Sequence, residues 1–194
     1  MLSRFARTIS FSTAILAMFA ISMAGCSSST TPPDSDATYA PNVSLLNRTA
    51  SGKLTVLEGE TLETSVALTS EFGGSLDVGD EEIGTSGLDV PEGAVDEIDD
   101  GSSVSFVKMK VTKIGEITAE LTPHGRTFNK PVWLKLSYKG ADLGGVDEST
   151  LAIFYWNEEI SVWELVPGGY VNTDQDFVAA PLDHFSKYGV GSDE

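Results

Sequence analysis

Few residues in this chain are equipped for chemistry. Its histidines are His124 and His184, and Cys26 is its single cysteine. The sequence has no His-Glu-x-x-His, no Gly-x-Ser-x-Gly, no Cys-x-x-Cys and no glycine-rich loop opening a helix, the usual marks of metal, serine, dithiol and phosphate chemistry. A hydrolytic triad would have to use one of two histidines. With 29 acidic residues, a chance pair of carboxylates is no sign of a glycosidase. The acidic clusters Asp80-Glu81-Glu82 and Asp96-Glu97-Ile98-Asp99-Asp100 hold the oxygens that calcium favours. Neither has the ordered ligand spacing of a calcium loop, so both read as solvated turns, and no metal or cofactor is expected. The tryptophans are the remaining candidates. Trp133, Trp156 and Trp163 could stack on a sugar, but large aromatics more often supply burial. Catalysis on a diffusible substrate is not expected.

Charge narrows the partners. The formal net charge is −17, and the first 25 residues contain Arg4 and Arg7 but no acid, leaving 10 basic against 29 acidic residues beyond them, a net −19. This balance makes nucleic acid and an anionic membrane face poor partners, and no nucleic acid is expected. Basic protein surfaces are compatible with it.

Met1 to Cys26 reads as a targeting segment. A basic start is followed by the apolar run Ala14-Ile15-Leu16-Ala17-Met18-Phe19-Ala20-Ile21, which is short of the roughly 20 residues that span a bilayer. Met23-Ala24-Gly25-Cys26 resembles the lipobox of bacterial lipoproteins. That resemblance implies cleavage after residue 25 and acylation of Cys26, with palmitate-type chains holding the protein to the membrane. Ser27 follows, where aspartate often marks inner-membrane retention, so the expected address is the cell envelope at the bacterial outer membrane. Residues 26–40, rich in Ser, Thr and Pro, read as a disordered tether.

The rest of the chain must be built of strands, because no segment sustains a 3.6-residue period. Leu54-Thr55-Val56-Leu57 and the alternating Thr64, Val66 and Leu68 predict two strands in residues 41–69, either added to the main domain or packed as a separate hairpin. Val107, Met109 and Val111 alternate with Lys108, Lys110 and Thr112, predicting a strand whose lysines guard a sheet edge. Ile117, Ala119 and Leu121 continue the pattern. Pro123-His124-Gly125 then makes a tight turn. Pro131 is placed at a strand start, where its missing N–H is tolerated, and Val132, Leu134 and Leu136 form a dry face opposite Trp133. Leu151 to Trp156 is apolar on both faces, as in a central strand, and Trp156 and Trp163 flank the next hairpin. The expected fold is an all-β antiparallel sandwich.

One stretch carries a family resemblance. Pro123-His124-Gly125-Arg126-Thr127-Phe128-Asn129-Lys130-Pro131-Val132-Trp133-Leu134 resembles the signature of ZU5 domains, the β-sandwich modules of ankyrins and netrin receptors. Gly73-Gly74-Ser75-Leu76 and Gly87 to Val95 are similar to that family's opening strands, and Asp183-His184-Phe185-Ser186-Lys187-Tyr188 to its closing segment. The resemblance covers residues 70–191. It implies a module for protein binding or assembly. In some relatives the His-Phe-Ser segment cuts itself, which here implies Ser186 Oγ attacking the Phe185 carbonyl, His184 taking the proton, and water resolving the ester. Lys187-Tyr188-Gly189-Val190 is less bulky than the strand that follows in such relatives. Display of a binding module is therefore the primary expectation, with self-cleavage at Phe185–Ser186 the alternative. A carbohydrate-binding accessory domain is the third reading, and exposure of Trp133 beside other aromatics is the feature that would favour it.

Overall fold

Alternation along the strands sorts this chain into two antiparallel layers. The computed structural model describes residues 43–49, 60–69, 71–95 and 104–193. The targeting segment, Cys26, the tether, the Leu54–Leu57 strand and the 96–100 acidic cluster lie outside these residues. The first strands are β1 (Val43–Leu45), β2 (Asn47–Arg48), β3 (Thr61–Thr69), β4 (Gly74–Asp80) and β5 (Gly84–Val90). Next come β6 (Val104–Thr112), β7 (Gly115–Glu116), β8 (Thr118–Thr122), β9 (Thr127–Ser137) and β10 (Ala141–Asp142). After a single 3₁₀ turn, Glu148–Thr150, the chain finishes with β11 (Ala152–Asn157), β12 (Val162–Leu165), β13 (Tyr170–Asn172), β14 (Phe177–His184) and β15 (Lys187–Asp193). Among the described residues no helix is long and apolar enough to cross a membrane.

One sheet has the order β12-β11-β15-β8-β6-β3, with β1 also pairing β15, and the facing sheet has the order β13-β14-β9-β5-β4. A small third sheet, β10-β2-β7, joins the short strands. Every pairing is antiparallel. Leu88, Val132, Leu134, Leu136, Val178 and Leu182 from the five-stranded sheet share one core with Met109, Leu121, Ile153, Tyr188 and Val190 from the other. Each large apolar side chain buried there contributes about 1.5–3 kcal/mol. The domain is an all-β sandwich.

Of residues 41–69, the strands that are described join the main domain. β1 adds to β15, β2 closes the small sheet, and β3 runs along the whole of β6. That last pairing corrects the edge assignment for Lys108 and Lys110: β6 is internal, and β3 is the edge strand. Lys108 instead meets Glu63 of β3 at 2.9 Å. Pro131 also lies inside β9, not at its start. The β5 ladder covers only Trp133 to Lys135 of β9, and the pairing with β14 shifts register between Leu182 and His184. The missing N–H of Pro131 falls in that irregular stretch, where no regular ladder needs it.

Arg48 ties the N-terminal strands to both layers. Its guanidinium is buried and donates to four carbonyls: Lys139 at 2.9 Å, Thr112 at 2.9 Å, Ile83 at 3.4 Å, and Ser137 in a shorter contact. Nothing in the sequence around Asn47-Arg48 singles it out. At β15 a glycine is required for space: a Cβ on Gly189 would lie 2.9 Å from Leu45 Cδ2 and 3.3 Å from Trp163 Cη2.

Candidate functional site

The closing segment follows β14 out of one sheet and enters β15 of the other. Phe185 is completely buried and sets its ring edge-on to Phe128, centroids 4.7 Å apart. Its N–H donates to Arg126 O at 3.0 Å, and its carbonyl accepts from Gly125 N–H at 3.0 Å. The Pro-His-Gly turn thus grips the segment by its backbone. Gly125 holds φ near +73°, a conformation that disfavours any side chain.

The same fold step brings both histidines to one groove of about 330 Å³, together with Ser186 and Glu158. His184 packs against Tyr155, ring centroids 5.2 Å apart at 88°, and burial pushes its pKa below the ordinary 6.5, with Asp183 opposing the shift. His124 approaches Glu120 at 3.7 Å through Nε2 and Glu158 at 3.8 Å through Nδ1. Ser186 Oγ donates to Trp156 O at 3.4 Å. No hydrogen bond joins Ser186 Oγ to the His184 imidazole among the described residues. Outside glycine, left-handed backbone occurs among those residues at Ser161 and Asp176, so the Phe185–Ser186 peptide shows no strain of that kind.

Of the acidic clusters, Asp80 and Glu82 are engaged by Lys113, at 2.9 and 3.0 Å. Asp80 Oδ1 also accepts from the N–H groups of Glu82 and Ile83. That turn is cross-linked by a lysine. Among the described residues no group of three or more His, Cys, Asp or Glu is placed to hold a metal ion.

The tryptophans divide. Trp156 and Trp163 are directly opposed across β11 and β12, with centroids 5.4 Å apart at 61°. Trp133 does the opposite and points out of the five-stranded sheet, 40% exposed, beside the 51% exposed Tyr170. Sequence reasoning singled out Trp133 by alternation. It missed Tyr170 and Phe177, which reach the same face only through the pairing of β13 and β14. No protein-family model matches the chain, and no curated protein matches it in sequence.

Proposed function

We propose that this chain is a bacterial lipoprotein, acylated at Cys26 and held at the outer membrane by a flexible tether, that displays a ZU5-like β-sandwich as a binding module. The observation that carries the binding reading is the exposed pair Trp133 and Tyr170 on a sheet face, because large aromatics left in solvent beside one another mark contact surfaces. The lipobox-like Met23-Ala24-Gly25-Cys26 supports the anchor. Metabolic labelling with a radioactive palmitate tests it. Label should enter the wild-type protein and be lost with Cys26→Ser, and an unlabelled wild type in a lipoprotein-competent host refutes the anchor.

Self-cleavage between Phe185 and Ser186 is the second reading. The Gly125 N–H donated to the Phe185 carbonyl favours it, since that donor polarises the carbon Ser186 would attack. The engagement of Ser186 Oγ with Trp156 O weighs against it. Intact mass under denaturing conditions separates the two readings. A chain that keeps its C-terminus in both wild type and Ser186→Ala removes self-cleavage. Loss of Ser186 to Glu194 in the wild type alone establishes it.

A further inference from the structure

The outer face of the five-stranded sheet carries groups that the packing of the domain leaves unused. Trp133 and Tyr170 are neighbours there, centroids 6.1 Å apart and tilted by 54°. Phe177 extends the row, 6.0 Å from Tyr170, and Lys135 Nζ stands 5.8 Å from the Phe177 ring centre. On the opposite flank, Asp77 of β4 and Asp89 of β5 are exposed, and neither forms an ion pair among the described residues. Together these side chains bound an open groove of about 260 Å³. Gly87 forms part of its floor, and a Cβ there would lie 2.5 Å from Asp77 Oδ1. A side chain at residue 87 would displace that carboxylate.

We propose that this face binds a neutral polysaccharide. Its sugar rings stack on Trp133 and Tyr170, and its hydroxyls bond to Asp77, Asp89 and Lys135. The proposal rests on the reading of the domain as an envelope-tethered binding module and names the ligand of that module. The C–H face of a pyranose is apolar and weakly positive, so it suits the negative face of an aromatic ring. The ring's rim of hydroxyls suits carboxylates, which are acceptors only and can each take two donors, and an ammonium, which is donor only.

Charge selects within the sugars. Two carboxylates against one ammonium in the groove, on a chain of net charge −17, repel an acidic polysaccharide. An extended peptide fits less well. Peptides that lie along sheets add to a free edge through backbone hydrogen bonds. Here the groove sits over interior pairs such as Asp89↔Trp133 and Gly87↔Lys135, and Lys135 also pairs Ala179 on its other side. Only side chains are on offer.

The test uses the mature acylated protein in detergent. Calorimetry and tryptophan fluorescence follow titration with hexamers of β-1,4-linked glucose, β-1,4-linked N-acetylglucosamine and α-1,4-linked glucose, with polygalacturonate as the acidic comparison. The expected result is saturable binding of at least one neutral hexamer and none of polygalacturonate. Trp133→Ala should weaken that binding about tenfold or more, the loss of one stacking surface. Asp89→Asn, nearly isosteric, should also weaken it, and urea unfolding shows that each variant is folded. Binding of no neutral hexamer, or binding that survives Trp133→Ala, overturns the proposal. Retention of an unacylated chain beginning at Ser27, which has no acyl chains of its own to hold it to the membrane, on isolated cell envelopes separates this proposal from the reading beneath it. Retention that is lost with Trp133→Ala and destroyed by periodate, which cleaves vicinal diols, supports the glycan. Retention lost with Trp133→Ala but destroyed by protease overturns the glycan and leaves a protein-binding module. Retention indifferent to Trp133 overturns both.

Discussion

Replacing Arg48 by methionine should remove a large part of the stability of the domain. The side chain is 5% exposed, and desolvation lowers its pKa from the ordinary 12.5 to about 10, with Asp80 opposing the shift. Keeping the charge in that site therefore costs about 3 kcal/mol relative to the unfolded chain. Against this stand its hydrogen bonds to Lys139 O, Thr112 O and Ser137 O, each worth about 1.5–3 kcal/mol for a charged donor. The balance predicts a loss of about 2–6 kcal/mol in Arg48→Met, out of a total stability on the order of 5–15 kcal/mol. Urea unfolding followed by tryptophan fluorescence should show the midpoint falling by about 1–3 M at a slope near 2 kcal/mol/M. Arg48→Lys should recover only part of the loss, because one ammonium cannot reproduce the planar fork that reaches carbonyls in several directions. A midpoint within about 0.3 M of wild type in Arg48→Met would mean that the four carbonyls are satisfied without the guanidinium, and the clamp would have no energetic meaning.

Asp80 gives a pH-dependent prediction. The Lys113 ammonium, with the Ile83 and Glu82 N–H groups, holds its carboxyl below the ordinary 3.8. A folded pKa below the unfolded one means stability that is present above the unfolded value and lost as pH falls through the folded one. Asp80→Asn should therefore be less stable at neutral pH and show a flatter acid limb, measured as unfolding free energy between about pH 5 and 2; parallel limbs would rule this out. The Trp156–Trp163 contact should appear in a double-mutant cycle to alanine as a coupling of about 0.5–1.5 kcal/mol, and a coupling indistinguishable from zero would leave the pair as two independent burials.

Much of the architecture could be read from alternation, because a two-layer sandwich buries every second residue. Val132, Leu134 and Leu136 are all buried, and that same period put Trp133 outside. Ile153 and Phe154 are adjacent and both buried, as an apolar run in an internal strand requires. Alternation carries no information about neighbours far away in the chain. The lysines of β6 looked like edge guards because the sequence does not say that β3 comes back beside them. The aromatic row was incomplete for the same reason: Trp133 lies opposite Pro181, and Tyr170 opposite Ala179, pairings set by the whole topology. Arg48 was invisible because a single arginine among polar neighbours such as Asn47 and Thr49 looks like any solvated one. Its burial follows from four carbonyls converging from Ile83, Thr112, Ser137 and Lys139.

β15 is paired on one side by β11 and on the other by β8, and β1 adds to it as well. Until Lys187–Asp193 emerges during synthesis, the larger sheet exists only as three unjoined pieces, β12-β11, β8-β6-β3 and the lone β1. Closing it joins the earliest described strand to the latest, a contact of long sequence separation and hence slow to form. If the chain is the envelope lipoprotein proposed above, it has to cross a membrane before it folds, and such a delay would suit it. In that case the portion already made could not complete the larger sheet ahead of translocation, because the sheet closes only with Lys187–Asp193.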